Sequence, residues 1–383
     1  MPRNRVLLLL FAIGSIAAFA LAFLTLAPNR LVSGAPIPLS YAINGARWLA
    51  LLPGAALLPA AFLRRRRPTQ VYVIACASLF LAALLWLAGD AAARLAAAGS
   101  QMARISLGAG FWLLFATAAL ALSDAVRRAF RSPLTRIAVG FAAALPALAV
   151  IASGHLDRLA IAREYAAAHE LVGIAVVRHI ELVLGALAPT LAIGLPLGVL
   201  AARRPRLRAP LFSALNVIQT IPSIAMFGLL MAPLAAIAEF APALPRLGIS
   251  GIGVAPAIIA LFLYALLPIV RNAAAGLASV PHAVLEAARG MGMTRRQILW
   301  RAELPLALPV ILSGVRITLV QLIGLAVLAA LVGAGGLGAI MFQGLFADAL
   351  DQVLLGVIPI VLMAMLADAA MSALVALVQQ QRQ

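Results

Sequence analysis

Ten long apolar runs, separated by short polar segments, follow one another along the sequence. They cover about residues 6–27, 46–63, 71–89, 107–124, 135–153, 179–201, 211–237, 252–270, 304–333 and 353–378. Hydrophobic residues make up 64% of the 383 positions and charged residues only 11%, whereas a soluble domain is about half apolar and about a quarter charged. A helix of about 20 apolar residues crosses the hydrocarbon core of a bilayer and satisfies its own backbone groups there. The sequence therefore predicts an all-α polytopic membrane protein with about ten transmembrane helices.

The first apolar run follows Arg3 and Arg5, an arrangement that a secretory signal also shows. A cleaved signal has an apolar core of about 7–15 residues, but this run extends from Val6 to Ala27. Its length favours an uncleaved first transmembrane helix.

The distribution of arginine predicts the orientation of the helices. Alternate loops hold 20 and eight of the 29 arginines, and Arg316 falls inside a run. The richer set is Arg3, Arg5, Arg64 to Arg67, Arg127, Arg128, Arg131, Arg136, Arg203, Arg204, Arg206, Arg208, Arg271, Arg289, Arg295, Arg296, Arg301 and Arg382; the poorer set is Arg30, Arg47, Arg94, Arg104, Arg158, Arg163, Arg178 and Arg246. Because cytoplasmic loops carry the excess of arginine, both termini are predicted in the cytoplasm. The net charge of +17 is then explained by topology and by anionic lipid headgroups rather than by nucleic acid.

Missing residue types exclude or disfavour several classes of function. The chain contains no lysine, and a P-loop needs one, so this chain cannot hydrolyse ATP by that route. The single cysteine, Cys76, lies in an apolar run and offers neither a disulfide nor a metal cluster. No set of nucleophile and base is visible, which disfavours a membrane-embedded enzyme. Neither a metal nor a cofactor is expected.

The longest polar interruption in the second half of the chain, residues 279–304, predicts two short helices. Ser279 is a candidate N-cap of the first helix, and Gly290 can take the left-handed conformation that ends it. Thr294 and Gln297 fit a capping box that starts the second helix, which leads to Pro305 at the start of the ninth span. Such a pair of helices can dock on a partner, but the spacing alone fits a solvated loop equally well.

Charged residues inside or beside the apolar runs are candidate sites. Arg316 in the ninth span can pair with Asp368 in the tenth, or it can extend its guanidinium to the membrane interface. Arg178, His179 and Glu181 begin the sixth span, where placement at the interface explains them.

The stretch from Gly333 to Gly338 fits the spacing G-x-G-x-x-G, and Asp351 follows it. A dinucleotide site requires a preceding strand within a βαβ unit, whereas this stretch follows an apolar run. Close helix packing or a turn near a transport pathway therefore explains the glycines better.

Several motifs resemble those of bacterial ABC-importer permease subunits. Glu286-Ala287-Ala288, Gly290, Ile298 and Leu304-Pro305 resemble the EAA loop of that family, and Gln219-Thr220-Ile221-Pro222-Ser223 resembles a segment of glycine betaine/choline osmoprotectant permeases. Residues 255–272 and 332–338 are similar to the same permeases. The resemblance covers about residues 175–380. With the first five runs included, the whole length is similar to a long form, the Yeh-type permease.

The resemblance implies a type I (MetI-like) permease core in the last five helices, residues 171–383, after an N-terminal membrane extension, residues 1–170. It implies ATP-driven import of an osmoprotectant across the bacterial inner membrane. The implied partners are a dimer of cytoplasmic ATPase subunits, a second permease subunit and an extracytoplasmic substrate-binding protein. The residues implied in ATPase coupling are Glu286, Ala287, Ala288, Gly290, Gly292, Leu304 and Pro305; the candidate pathway residues are Gln219, Thr220, Pro222, Ser223, Tyr264, Arg316 and Asp368.

An ion-coupled secondary transporter with five-plus-five architecture is the alternative. Such proteins place broken helices near the membrane midplane, and the core spans contain prolines (Pro196, Pro222, Pro256, Pro268, Pro309 and Pro359). A methylated ammonium group would be held by aromatic faces, yet Tyr264 is the only tryptophan or tyrosine in a core span. For a betaine-like solute, selectivity is therefore expected mainly in the binding protein.

Overall fold

The computed structural model describes residues 4–29, 34–64, 66–98, 103–240 and 249–380, and these are mainly helical. The α-helices are α1 Arg5–Ala20, α2 Leu39–Ala42, α3 Leu52–Ala55, α4 Leu57–Ala60, α5 Arg67–Ala98, α6 Ala109–Ala129, α7 Pro133–Ala152, α8 Ala160–Arg203, α9 Pro205–Thr220, α10 Ser223–Phe240, α11 Val254–Ala278, α12 His282–Gly290, α13 Arg295–Ile298, α14 Leu304–Leu325, α15 Leu337–Phe346 and α16 Leu350–Gln380. Gly45–Leu51 and Ala326–Val332 are 3₁₀ helices, and Leu299–Glu303 is a π-helical turn. The strands are β1 Leu24–Ala27, β2 Ala35–Ile37 and β3 Arg104–Leu107.

In the described residues, eight helical stretches are long and apolar enough to cross a membrane. They are α5, α6, α7, α8, α10, α11, the continuous stretch Arg295–Val332 and α16. A polytopic helical membrane protein is therefore confirmed, with eight continuous candidate spans where the sequence predicts about ten. Of the arginines used to predict the orientation, Arg3, Arg30, Arg65, Arg246 and Arg382 lie outside the described residues.

The second predicted span, residues 46–63, is not one helix. It consists of the 3₁₀ helix and the short helices α3 and α4. Pro59 has no N–H to donate to the carbonyl of Ala55, so a regular helix cannot continue there. Gly54 lets the ring of Phe80 approach the backbone, since a Cβ at this position would lie 2.7 Å from that ring. Length and hydropathy alone predicted the span wrongly.

The seventh predicted span, residues 211–237, is also divided. Helix α9 ends at Thr220 and α10 begins at Ser223. The residue before a proline is pushed out of the helical region, and Ile221, which precedes Pro222, has extended backbone angles (φ −68°, ψ 127°). The polar stretch around Pro222 is therefore a break within a helix pair.

A three-stranded antiparallel sheet accompanies the helices near the N-terminus. Its order is β2-β1-β3, with Leu24 opposite Ile37 on one side and opposite Leu107 on the other. The first apolar run was predicted as helix as far as Ala27, but its last four residues form β1. Because these strands have only three or four residues, the sequence offers too short an alternation to predict them.

Two compact units make up the chain, Met1–Ala168 and His169–Gln383. They are called the N-terminal unit and the C-terminal unit below. Phe23, Leu84, Leu87 and Phe111 belong to the buried core of the N-terminal unit, and Phe227, Leu182, Leu261 and Leu322 belong to that of the C-terminal unit. Within α8, Ala168 has non-helical backbone angles. The functional division at residue 170 stays a prediction.

Candidate functional site

The polar loop of residues 279–304 begins differently from the prediction. Ser279 does not cap α12; it is the C-cap of α11, and its hydroxyl donates to the carbonyl of Gly276 at 2.7 Å. Pro281 occupies the N-cap position of α12 without a side-chain hydrogen bond. The prediction of Ser279 as an N-cap was wrong because α11 extends to Ala278 and uses the serine at its own end.

The end of α12 is formed by Gly292 instead of Gly290. Gly290 is the last residue of the helix, and Gly292 has a φ of 78°. The N–H of Met293 donates to the carbonyl of Ala288 at 3.1 Å, and the N–H of Gly292 donates to that of Arg289 at 2.9 Å. This pair of bonds is a Schellman motif, in which a glycine supplies the left-handed residue. The predicted left-handed Gly290 is therefore corrected to Gly292.

The predicted capping box at Thr294 is confirmed. The N–H of Gln297 donates to the Thr294 hydroxyl at 3.3 Å, and the N–H of Thr294 donates to the Gln297 side chain at 2.8 Å. The helix that starts here does not stop before the ninth span. Pro305 has no N–H for the carbonyl of Arg301, and the chain passes this point through the π-helical turn. One helical stretch, Arg295–Val332, thus joins the loop to the membrane-spanning segment.

Side chains at the base of the loop attach it to the neighbouring helices. Arg203 at the end of α8 donates to Glu303 at 2.8 Å. Leu304 packs against a buried cluster that contains Leu277 and Ala307. Ala288 is also buried. Of the residues predicted for coupling, Ala288 and Leu304 therefore hold the loop in place.

The remaining predicted coupling residues lie on the exposed side of the loop. Glu286, Ala287, Gly290, Gly292 and Pro305 are exposed.

Two large apolar side chains that the sequence reasoning missed are exposed on the same loop. The exposed fraction is 72% for Met291 and 62% for Trp300. Exposed Arg289, Arg295 and Arg296 lie near them in the chain. Exposed apolar side chains in a loop outside the apolar runs are candidates for contact with a partner, and Met291 and Trp300 lie in such a loop. Their position in a polar segment was the signal that could have identified them.

A reciprocal pair of hydrogen bonds joins α9 to α11 at the break beside Pro222. Gln219 Nε2 donates to the carbonyl of Tyr264 at 3.0 Å, and the Tyr264 hydroxyl donates to the carbonyl of Ile221. In a regular helix the carbonyl of Tyr264 would accept from residue 268, but Pro268 has no N–H. Each side chain therefore satisfies a carbonyl at a proline-disturbed position. We call Gln219 and Tyr264 the carbonyl clamp.

The other candidate pathway residues of this segment lie at the surface of the unit. Thr220 and Pro222 are exposed and Ser223 is half-buried. The hydroxyl of Thr220 donates to the carbonyl of Val217 at 2.7 Å. Tyr264 of the clamp is less accessible, since only 7% of it is exposed, and Gln219 is half-buried.

Arg316 and Asp368 form an ion pair between α14 and α16. Arg316 Nε donates to Asp368 Oδ1 at 2.6 Å, and Nη2 donates to Oδ2 at 2.7 Å. This bidentate geometry is the strong form of the arginine–carboxylate contact. Of the two alternatives that the sequence left open for Arg316, the structure shows the pair with Asp368. Both side chains are half-buried.

His179 is fully buried in the C-terminal unit, which the sequence did not predict. Its Nε2 lies 3.0 Å from the carbonyl of Ile323. The neighbouring Arg178 donates to the carbonyl of Ala334 at 3.0 Å and to Glu181 at 2.9 Å. Because α8 begins at Ala160, His179 lies inside the helix instead of at its start; its placement at the membrane interface stays a prediction.

The glycine-rich stretch follows a 3₁₀ helix and not a strand. Gly333, Gly335 and Gly336 have φ values of 80°, 81° and 81°, which only glycine adopts readily. The interpretation as a turn is therefore supported over that of a dinucleotide site.

Comparison with known proteins identifies the family of this chain. Residues 194–382 match the family described as "Binding-protein-dependent transport system inner membrane component", and residues 3–162 match the N-terminal domain of the ABC transporter permease YehY. The osmoprotectant import permease protein OsmW of Salmonella typhimurium is 42% identical over 191 residues, which are 50% of this chain and 84% of that protein. The chain belongs to the ABC transporter permease family.

Other relatives of this ABC transporter permease cover a similar share of the chain. The glycine betaine/carnitine/choline transport system permease protein OpuCD of Bacillus subtilis is 44% identical over 180 residues, 47% of this chain and 72% of that protein. A chain of the MetNI methionine ABC transporter in an inward-facing conformation is 27% identical, covers 55% of this chain and 97% of its own, and has a TM-score of 0.49. Membership of this family favours an importer permease over an ion-coupled secondary transporter.

Proposed function

We propose that this ABC transporter permease imports osmoprotectants of the glycine betaine/choline class and is driven by separate ATPase subunits that dock on residues 279–304. Relatives named for osmoprotectant and for glycine betaine, carnitine and choline transport support the solute class. The absence of lysine, and hence of a P-loop, assigns ATP hydrolysis to another chain.

One observation supports the coupling role: the continuous helical stretch Arg295–Val332 starts in the exposed loop and is long and apolar enough to cross a membrane. A rigid helix transmits a displacement of its exposed end to the segments packed on it. The exposed side of the loop, with Glu286, Ala287, Gly290, Gly292 and Pro305, would contact the ATPase together with Met291 and Trp300. Ala288 and Leu304 would hold the loop while force is applied. The loop and both termini are assigned to the cytoplasm because the arginine-rich loops lie on that side.

The complete importer would also contain a second permease subunit and an extracytoplasmic substrate-binding protein in a bacterial inner membrane. Alternating access needs two discrete arrangements of packed helices. The carbonyl clamp (Gln219 and Tyr264) and the pair Arg316–Asp368 connect different helices and are the contacts that would differ between the two arrangements. Thr220, Pro222 and Ser223 would line the pathway beside the clamp.

The docking role is tested with Met291→Glu. Met291 is exposed, so the substitution leaves the core intact, but it places a charge where an apolar contact would be buried. We expect co-purification of the ATPase and ATP-dependent uptake to fall at least 10-fold together. The matched control is Leu207→Glu, an exposed apolar residue of α9 outside the loop, which should leave both unchanged. Normal ATPase binding and uptake in Met291→Glu would refute docking at this surface.

A further inference from the structure

We propose that the N-terminal unit holds one hydrocarbon chain of a membrane lipid in a cavity that runs along α1. The cavity has a volume of about 400 Å³, which lies in the range of about 300–1,000 Å³ found for ligand sites. It lies entirely within the N-terminal unit and shares no residue with the coupling loop or the candidate pathway.

The cavity follows one face of α1. Leu7, Leu10, Phe11, Gly14, Ser15, Ala18 and Phe19 line it from that helix. After Leu7 they form adjacent pairs that recur every four residues, which places them on one side of a helix. From Leu7 to Phe19 the helix rises about 18 Å. The hydrocarbon core is about 30 Å thick for two leaflets, so the cavity has the length of one chain of one leaflet.

The divided second span explains why this space is not filled. The wall opposite α1 is formed by Leu51, Gly54, Ala55 and Leu57, which belong to the 3₁₀ helix and to α3 and α4. Short turns do not present the continuous ridge of side chains that a full helix packs against its neighbour.

The side chains that line the cavity favour a hydrocarbon chain over a polar or charged ligand. None of the described residues that line the cavity carries a charge; its polar side chains are Ser15, Ser40 and Thr117. The hydroxyl of Thr117 already donates to the carbonyl of Leu114 at 2.9 Å. A cavity with this lining does not compensate a charged or strongly polar solute for lost hydration, but it does accept methylene groups, each worth about 0.8 kcal/mol when buried.

One end of the cavity reaches the surface of the unit. Phe19 lines this end and is itself 93% exposed. Pro38 and Ser40 line the cavity too, and both are exposed. A lipid can therefore insert one chain along α1 while its headgroup stays outside, where the Ser40 hydroxyl is available to it.

The test uses a phosphatidylcholine with a photoactivatable diazirine in one acyl chain, reconstituted with the full-length protein in nanodiscs. Crosslinks are mapped by peptide mass spectrometry. We expect labelling of Phe80 and Leu114, which line the cavity and are buried, so that bulk lipid does not reach them. Ala118→Phe fills the cavity from α6 and should reduce this labelling at least 10-fold. Ala116→Phe adds the same ring on the exposed side of α6 and should not change it.

Two results would overturn the proposal. One is labelling confined to exposed residues such as Phe19, with none at Phe80 or Leu114. The other is equal labelling of Phe80 and Leu114 in Ala118→Phe and Ala116→Phe. Because an Ala118→Phe protein that fails to fold would also lose labelling, Ser15→Leu provides a second filling variant at a half-buried position. The same loss of labelling is expected in Ser15→Leu.

Discussion

Two predicted spans are divided by proline, one in each unit, and a tyrosine hydroxyl binds a backbone carbonyl at each break. In the N-terminal unit Tyr72 donates to the carbonyl of Ala56 at 3.1 Å, and in the C-terminal unit Tyr264 donates to that of Ile221. Tyr72 is 41% exposed, whereas Tyr264 is buried. A second difference is the hydrogen bond from the Gln219 side chain to the carbonyl of Tyr264, which completes the carbonyl clamp.

The remaining backbone groups at the two breaks are satisfied in different ways. Around Ala56 the chain uses short-range bonds, such as those from Ala56 to Leu52 at 2.9 Å and from Ala61 to Leu58 at 3.1 Å. Around Pro222 the side-chain bonds join residues that are 43 and 45 positions apart in the sequence. An unsatisfied backbone group in lipid costs several kcal/mol, so both breaks need partners. At both breaks a tyrosine of a long helix supplies one donor, but only the C-terminal break has a second bond in the opposite direction, from Gln219 to the carbonyl of Tyr264. We therefore expect the C-terminal break to couple the movement of two helices.

The largest effect is expected from Tyr264→Phe, which removes the hydroxyl and leaves the carbonyl of Ile221 without this donor. A buried unsatisfied carbonyl costs about 1–3 kcal/mol. Tyr264→Phe should therefore destabilise the conformation that contains the carbonyl clamp by this amount. We expect ATP-dependent uptake in proteoliposomes to fall at least 10-fold while the protein still folds.

Tyr72→Phe is the matched control for this variant. Because Tyr72 is exposed, other polar groups at the surface can replace its hydroxyl, and uptake should change less than twofold. Equal losses in Tyr264→Phe and Tyr72→Phe would remove the distinction between the two breaks.

A smaller effect, on stability alone, is expected from Gly54→Leu at the N-terminal break. The new side chain would collide with the ring of Phe80, and overpacking of this kind costs about 1–3 kcal/mol. The melting temperature in detergent should fall by several degrees. Adding Phe80→Ala to this variant removes the ring and should restore part of the lost melting temperature. An unchanged melting temperature would show that the short turns of residues 46–63 rearrange around the new side chain with no loss of stability.

A smaller loss of uptake than that of Tyr264→Phe is expected from Gln219→Leu, because one part-buried hydrogen bond contributes about 1 kcal/mol. In a double-mutant cycle with Tyr264→Phe, the two substitutions should show an interaction energy of about 0.5–3 kcal/mol. Strictly additive losses in uptake would mean that the two bonds act separately and do not form a clamp.

Features set by neighbouring residues or by a simple charge rule could be predicted from the sequence. The capping box of Thr294 and Gln297 depends on three residues of spacing. The cost of isolated charge in a membrane made Asp368 a candidate partner for Arg316, while placement of the guanidinium at the interface stayed open. The role of Gly292 could not be separated from that of Gly290, because two glycines at this spacing can both end a helix and only the backbone decides between them.

Features that depend on distant contacts could not be predicted. Hydropathy does not distinguish a full helix from the turns of residues 46–63, which the packing of Gly54 against Phe80 stabilises. The burial of His179 depends on where α8 starts and on the carbonyl of Ile323, 144 positions away.

The central claim is tested most directly by uptake of radiolabelled glycine betaine into proteoliposomes that contain the permease, its ATPase and its binding protein. The internal energy source is varied between ATP, ADP, and ADP with an imposed proton or sodium gradient. We predict uptake only with ATP, and its loss when the ATPase is omitted. Uptake that is driven by the ion gradient with ADP, or that persists without the ATPase, would contradict the account.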